Sequence, residues 1–266
     1  MKTIIAALAL ASAGIITTSP AAAGDISGGS RLLDEGKHAQ LERWLGAGDF
    51  NLNNVYTWQA GDTSADFHAA ADGKGAGFTL LEVSNDAGAS FLVGGYNPQS
   101  WNADEGWHET GRDWQRTAFL FNFTEPAVYR QVLSNYVLPS QGQRQTFNGI
   151  EFGPVFGSGP DLFVSDTMDV GLSWQLSYGN PAEEGFSIID RSQGGDTVRI
   201  DGMEIFAITP IPEPGSQAML LAGLGVVGAA AALAQRRNTG RTTRTTRTTR
   251  TTRTTRTTRT TRRKTA

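Results

Sequence analysis

The chain has 266 residues, a formal net charge of −3 and no cysteine, which excludes disulfide bonds, thiolate chemistry and cysteine zinc sites. The charge is unevenly distributed: residues 24–211 hold 25 acidic and 10 basic side chains, whereas 12 basic residues and no acidic ones follow from position 236. An acidic body without a basic patch argues against nucleic acid as a partner of the folded domain.

The first 23 residues have the pattern of a secretory signal peptide. Lys2 supplies the positive start, residues 4–16 form an apolar run, and Ala21 and Ala23 are the small residues expected before a cleavage point. We therefore expect the chain to use the secretion translocon and the folded domain to begin at residue 24.

Residues 30–45 predict a helix, because Leu33, Leu41 and Trp44 fall on one side at helical spacing and Ser30 can cap the start. From residue 53 the hydrophobic period changes to two, which indicates strands. The predicted strands are 55–58, 78–83, 90–93, 119–123, 151–156, 162–164, 171–179 and 198–208.

The segment between these strands that carries Trp101, Trp107 and Trp114 is polar and contains glycine, so it is predicted to be a loop. Residues 129–138 fit a strand or a helix equally. One leading helix followed by many short strands predicts a mainly β protein, a two-sheet antiparallel β-sandwich with flanking short helices. A closed barrel is the alternative.

Three elements follow the predicted domain in a fixed order. Pro212, Glu213 and Pro214 come first, an apolar run over 216–234 follows, and Arg236 and Arg237 come next. The run has about 19 residues, enough for a transmembrane helix, and a basic cluster just after it favours the cytoplasmic side.

This order of elements resembles the PEP-CTERM sorting signal of exopolysaccharide-producing Gram-negative bacteria. The resemblance implies that an exosortase, a membrane cysteine protease, removes the helix and releases the protein to the cell surface or beyond. An ordinary tail anchor is the alternative.

The remaining residues, 238–266, contain seven Arg-Thr-Thr repeats and are predicted to be disordered, with anionic lipid headgroups as a plausible contact. The expected organisation is therefore a signal peptide at 1–23, a β-sandwich domain at 24–208, the sorting signal at 209–237 and the tail at 238–266.

Several stretches of the domain resemble the TLD domain family in the family's own order. They are ADFHAAADGKGAGFTLLEVS, FLVGGYNPQSW, TAFLFNFT, FGSGPDLFVSD, SYGNP and RIDGMEIFAI, preceded by the helix LLDEGKHAQLERWL. The resemblance implies a sandwich of two antiparallel sheets and supplies no catalytic set. It implies structural roles for Gly73, Gly75, Gly94, Gly95, Asp161, Gly179 and Glu204.

Glu204 stands between apolar neighbours in the last predicted strand, so a buried carboxylate with hydrogen-bond partners is expected there. The three histidines, His38, His68 and His108, lack the spacing of a metal site. The chain also has no G-x-S-x-G elbow for a nucleophilic serine.

Acidic residues cluster in two predicted loops, and carboxylate oxygens in loops are calcium ligands, although neither loop has an ordered calcium-binding pattern. We expect these acidic residues to lie in solvated turns and not to bind calcium. The clusters are Asp161, Asp166 and Asp169, and Asp104, Glu105, Glu109 and Asp113.

Tryptophans suggest a surface that stacks on sugars. Tyr96 could contribute to this surface, whereas Trp101 is expected in the core, and Trp107 and Trp114 are the better candidates for exposed contacts.

These observations predict an exported, non-enzymatic surface or matrix protein without cofactor, metal or catalytic residues, adhesive or structural within exopolysaccharide or biofilm. Two alternatives stay open: a polysaccharide hydrolase that uses paired carboxylates, and a calcium-dependent carbohydrate-binding module.

Overall fold

The computed structural model describes residues 24–134 and 141–211, and in them it contains twelve β-strands and two α-helices. The helices are α1 (Glu35–Leu45) and α2 (Ser64–Ala71), and short 3-10 turns span Asp113–Gln115 and Pro181–Glu183. The strands are β1 (Ile26–Ser27), β2 (Phe50–Thr57), β3 (Gly77–Ser84), β4 (Ser90–Asn97), β5 (Asp104–Glu109), β6 (Phe119–Asn122), β7 (Ala127–Arg130), β8 (Arg144–Gly149), β9 (Val155–Phe156), β10 (Leu162–Val164), β11 (Val170–Ser173) and β12 (Asp196–Pro210). The mainly β prediction is therefore confirmed.

Hydrogen bonds join all the described strands into one sheet in the order β5-β8-β9-β10-β11-β12-β3-β4-β6-β7, with β2 also on β12 and β1 on β2. Every pair is antiparallel except the short β1–β2 pair. The sandwich prediction assumed two separate sheets. They are connected here because β12 has 15 residues, so its start pairs with β11 and its end with β2.

Two hydrophobic clusters show how this sheet folds over. The first joins Phe156 and Leu162, from the β9–β10 end, to Leu81, Val93 and Leu120 of β3, β4 and β6. Both ends of the strand order therefore contribute to one interior, as in two layers that face each other. Helix α2 closes this interior with Phe67.

The second cluster lies on the opposite face of β3, β4 and β6. Because successive side chains of a strand point to opposite faces, Phe119 and Phe121 leave Leu120 on the other side and meet Leu41 of α1. Helix α1 thus covers one outer face of the sheet. Aromatic residues on this face alternate with buried Leu120 and Asn122 on the other, which explains the strong strand signal of residues 119–123.

Helix α1 begins later than predicted. The Asp34 side chain caps it by accepting from the Lys37 N–H at 2.8 Å, so the helix starts at Glu35 and residues 30–33 run ahead of it. Ser30 instead donates its hydroxyl to Glu204 and accepts from the Leu33 N–H at 2.8 Å. Both Ser30 and Asp34 are residue types that can cap a helix. Because Ser30 is bonded to Glu204 of β12, Asp34 caps α1.

Two further segments differ from the predictions. Trp107 lies in strand β5 and not in a loop, and β5 pairs only with β8 at the end of the strand order. An edge strand pairs with one neighbour only. Its sequence therefore need not show the regular alternation by which strands are predicted. Residues 64–71 form a helix whose start could have been found, because the Asp66 carboxylate accepts from the Thr63 N–H, as in a capping box.

The signal peptide, the sorting signal from Pro212 onward and the Arg-Thr-Thr tail lie outside the described residues. Within 24–134 and 141–211, no helix combines the length and apolar character that crossing a membrane requires. The predicted span at 216–234 therefore stays a prediction.

Candidate binding site

A row of aromatic side chains crosses the layer formed by β5, β8, β9 and β10, on the face turned away from the interior. Trp107 pairs across strands with Phe147, Phe147 with Val155, and Val155 with Phe163. Phe152, in the turn before β9, joins them. We call Trp107, Phe147, Phe152 and Phe163 the aromatic row; all four are half-buried.

The rings of the aromatic row contact one another edge to face or tilted. Centroid distances are 5.0 Å for Trp107–Phe147, 6.0 Å for Phe147–Phe152 and 5.2 Å for Phe152–Phe163. Such pairs stabilise each other beyond the area they bury. The row is therefore a firm apolar surface, and its geometry is fixed by the strand register.

A pocket of about 210 Å³ opens on the aromatic row. Its remaining lining is Val155, Gly157, Ser158 and Pro160, so Ser158 carries the only side-chain polar atom other than the Trp107 indole nitrogen. The volume is below the roughly 300–1,000 Å³ of sites for drug-sized ligands. The pocket thus fits a single ring with an apolar face.

Charged groups stand at one end of the row. The Arg144 guanidinium carbon lies 4.9 Å from the Trp107 ring centroid. Arg144 Nε is 3.7 Å from Glu109 Oε1, and the Gln143 side-chain amide donates to Glu109 Oε2 at 2.9 Å. Arg144 therefore both stacks on the Trp107 ring and pairs with Glu109.

The other side of the pocket depends on Asp161, which is completely buried. Its carboxylate accepts backbone N–H bonds from Leu176, Ser177 and Tyr178 at 2.7, 3.0 and 2.8 Å. Burial raises the pKa of Asp161 to about 7, although these backbone bonds act to lower the pKa.

Gly157 adjoins this carboxylate. It has φ +72°, and a Cβ there would lie 2.0 Å from Asp161 Oδ2. The pocket wall around Ser158 therefore rests on a buried acid that only glycine can approach so closely.

Comparison with known proteins gives two matches along the chain. A family model described as the TLDc domain matches residues 26–209, and a model of the PEP-CTERM protein-sorting motif matches residues 210–237. The chain belongs to the TLDc domain family. The sorting motif implies exosortase processing and a secreted or cell-surface protein. No curated protein matches the chain.

The four residues considered for sugar stacking lie in different places within the TLDc domain. Trp101 and Tyr96 are buried in the two hydrophobic clusters. Trp114 is 71% exposed and stands outside the pocket, whereas Trp107 belongs to the aromatic row. The sequence did not indicate the three phenylalanines of the row. They lie in β8, in the turn before β9 and in β10, and no local pattern shows that these segments share one surface.

The histidines lie apart in the TLDc domain. His68 Nδ1 is 2.8 Å from Asp72 Oδ1, and its Nε2 is 3.1 Å from the Gly149 carbonyl, so it links α2 to the end of β8. His38 lies beside Glu42 on α1, and His108 is 3.5 Å from Glu105. Each therefore lies beside a carboxylate of its own segment, and the three histidines do not form one site.

The acidic clusters disperse as well. Asp161 is buried, whereas Asp166 and Asp169 are exposed and accept hydrogen bonds from Thr167. Among the described residues, no group of three or more acids or histidines is arranged to hold a metal ion. Glu204 is 2% exposed and accepts the Arg31 N–H at 2.8 Å, which confirms the expected buried, hydrogen-bonded acid.

One acid pair was not predicted. Asp190 and Asp196 interact electrostatically: burial together with the Asp190 charge raises the pKa of Asp196 to about 6, whereas hydrogen bonds lower the pKa of Asp190. The two residues belong to different predicted segments, so no sequence signal links them. Asn85 donates to Asp190 at 3.0 Å, which ties the pair to the end of β3.

Proposed function

We propose that this TLDc protein is a non-enzymatic adhesive or structural component of an exopolysaccharide matrix, displayed there after exosortase processing. The aromatic row carries the proposal. It is an apolar surface that the described helices leave open, and such surfaces on exported domains serve contacts with other molecules.

The ligand we propose is a neutral polysaccharide. One face of a pyranose ring presents C–H groups that match aromatic rings, and the pocket has the size of one ring. Residues 24–211 are strongly acidic, so they repel a polyanion. Arg144, the cation nearest the row, is already paired with Glu109.

The absence of catalysis is part of the proposal. Glycoside hydrolysis uses two carboxyl groups roughly 5–9.5 Å apart, with the scissile bond between them. Asp190 and Asp196 are the acid pair described above, and Asp190 already accepts hydrogen bonds from the Asn85 side chain and the Ser192 N–H. Neither residue lines the pocket of the aromatic row. The pair is better suited to holding its own loop.

The test mixes purified exported protein with exopolysaccharide from the producing strain and measures both sedimentation with the polymer and polymer length. We expect co-sedimentation and unchanged polymer length. Polymer shortening that Asp190→Asn or Asp196→Asn abolishes would favour the hydrolase. Protein that stays in solution would contradict the adhesive function.

Sorting is tested separately by Glu213→Ala followed by cell fractionation. Because Pro212-Glu213-Pro214 is the part that distinguishes the motif from an ordinary anchor, the variant is expected to stay with the membrane fraction. Glu35→Ala, at an exposed position of the folded domain, is the control and should leave processing unchanged. Normal release of Glu213→Ala would remove the exosortase from the account.

A further inference from the structure

Gly24, the first residue after the predicted cleavage point, has a defined place between β2 and α1. The next residue anchors it: the Asp25 N–H donates to Asn51 Oδ1 at 2.9 Å, and the Leu52 N–H donates to the Asp25 carbonyl at 2.8 Å. The start of the domain is therefore held against the edge of β2.

The space around Gly24 is too small for any side chain. A Cβ at this position would lie 1.9 Å from the Phe50 carbonyl oxygen, 2.6 Å from His38 Cε1 and 2.9 Å from Glu42 Oε1. A Cβ lies about 2.5 Å from its own backbone nitrogen, so the Gly24 nitrogen is within about 5.4 Å of Glu42 Oε1.

Glu42 lacks a strong partner. Its side chain is 16% exposed, and Oε1 accepts from the Phe50 N–H at 3.2 Å. The ion pairs of residues 24–134 and 141–211 give it no lysine or arginine, only His38 Nε2 at 3.6 Å. A largely buried carboxylate is costly without a nearby positive charge.

We propose that signal-peptide cleavage after Ala23 creates the missing partner, and that the new α-ammonium group of Gly24 pairs with the Glu42 carboxylate. Hydrolysis breaks the C–N bond between Ala23 and Gly24, adds the hydroxyl of one water to the Ala23 carbonyl carbon and a hydrogen to the Gly24 nitrogen, and this amine then takes a proton from solvent. The proposal rests on export by a cleaved signal peptide, and it is independent of sugar binding.

The consequence is that maturation stabilises the fold. In the precursor the Gly24 nitrogen is a neutral amide, whereas an α-amino group with a pKa near 8 is mostly charged at pH 7. The groups nearest to this position are His38 and Glu42, the titratable ones, from α1 and the Phe50 carbonyl from β2. The mature protein should therefore be more stable than the same chain with a blocked amine.

The experiment compares thermal unfolding of the exported protein before and after selective acetylation of its α-amine at pH 7. The acetyl group replaces the Ala23 carbonyl, so it restores the neutral amide. Glu42→Gln removes the charge but keeps an oxygen for the Phe50 N–H. Glu35→Gln, at an exposed position of the same helix, is the matched control.

We expect acetylation to lower Tm in the wild type and in Glu35→Gln by about 2–4 °C, the scale for a chain of this size, and to leave Glu42→Gln unchanged. An equal loss in Glu42→Gln, or no loss in the wild type, would overturn the pairing. An intact mass that places the mature N-terminus elsewhere would overturn it as well.

Discussion

The two outer faces of this sheet carry similar residues and have different surroundings. On one, Phe78, Phe119 and Phe121 lie beneath α1 and are fully buried. On the other, Trp107, Phe147 and Phe163 form an open row, and no residue of either described helix lines its pocket. Aromatic content alone therefore does not separate a core from a contact surface. The presence of a covering element does.

Each face also depends on a buried carboxylate that holds a neighbouring segment. Glu204 fixes residues 30–32 next to the covered face, and Asp161 fixes residues 176–178 behind the open one. In both cases backbone N–H groups supply most of the donors. Removal of either acid would leave buried donors without a partner, which costs free energy.

The largest expected effect contrasts the two faces directly. Phe121→Ala should reduce the free energy of unfolding by about 3–5 kcal/mol, because it empties a fully buried site. Phe147→Ala, with the same chemistry on the open face, should cost less, since its ring is only partly buried. Denaturant unfolding of both variants measures this difference. Equal losses would mean that the open face is part of the core.

The next effect concerns the anchor of the covered face. Glu204→Ala should cost about 2–3 kcal/mol, because Ser30 and the backbone N–H groups of Arg31 and Leu32 lose their common acceptor. Glu82→Ala, which removes an exposed ion pair with Arg31, should cost less than about 1 kcal/mol. Thermal unfolding distinguishes the two, and a smaller loss for Glu204→Ala would refute the anchoring role.

A smaller effect is the pH dependence of stability that Asp161, behind the open face, should cause. Burial raises the pKa of Asp161 to about 7, above its ordinary value near 4, so the folded state binds a proton more tightly than the unfolded state. Stability from this group is complete below pH 4 and is lost as pH rises through 7. The Tm should fall between pH 5 and 8, and Asp161→Asn should flatten that part of the profile.

A rising Tm over the same pH range, or an unchanged slope in Asp161→Asn, would contradict the pKa of Asp161. Asp196, whose pKa is raised to about 6, changes stability in the same direction. Asp196→Asn therefore serves as the control that separates the two contributions.

The sequence predicts the covered face better than the open one. Residues 119–123 alternate between two buried faces, and the predicted strands 78–83 and 90–93 are present as β3 and β4, which pair with each other. Trp107 was assigned to a loop, because an edge strand with charged neighbours has no clear alternation. The aromatic row depends on the register of three strand pairs, which no local pattern encodes.

The same limit applies to single residues. Glu204 could be predicted to be buried and bonded from its apolar neighbours. Its partners could not, since Ser30 is 174 positions away along the chain. Asp161 was grouped with exposed acids because spacing does not show which of three nearby carboxylates enters the interior.

Calorimetric titration of the exported protein with neutral oligosaccharides from its own matrix tests the binding role of the aromatic row most directly. Trp107→Ala should abolish the heat of binding, whereas Trp114→Ala, at an exposed position outside the pocket, should bind like the wild type. Equal binding by Trp107→Ala and the wild type, or no binding by the wild type, would contradict the account.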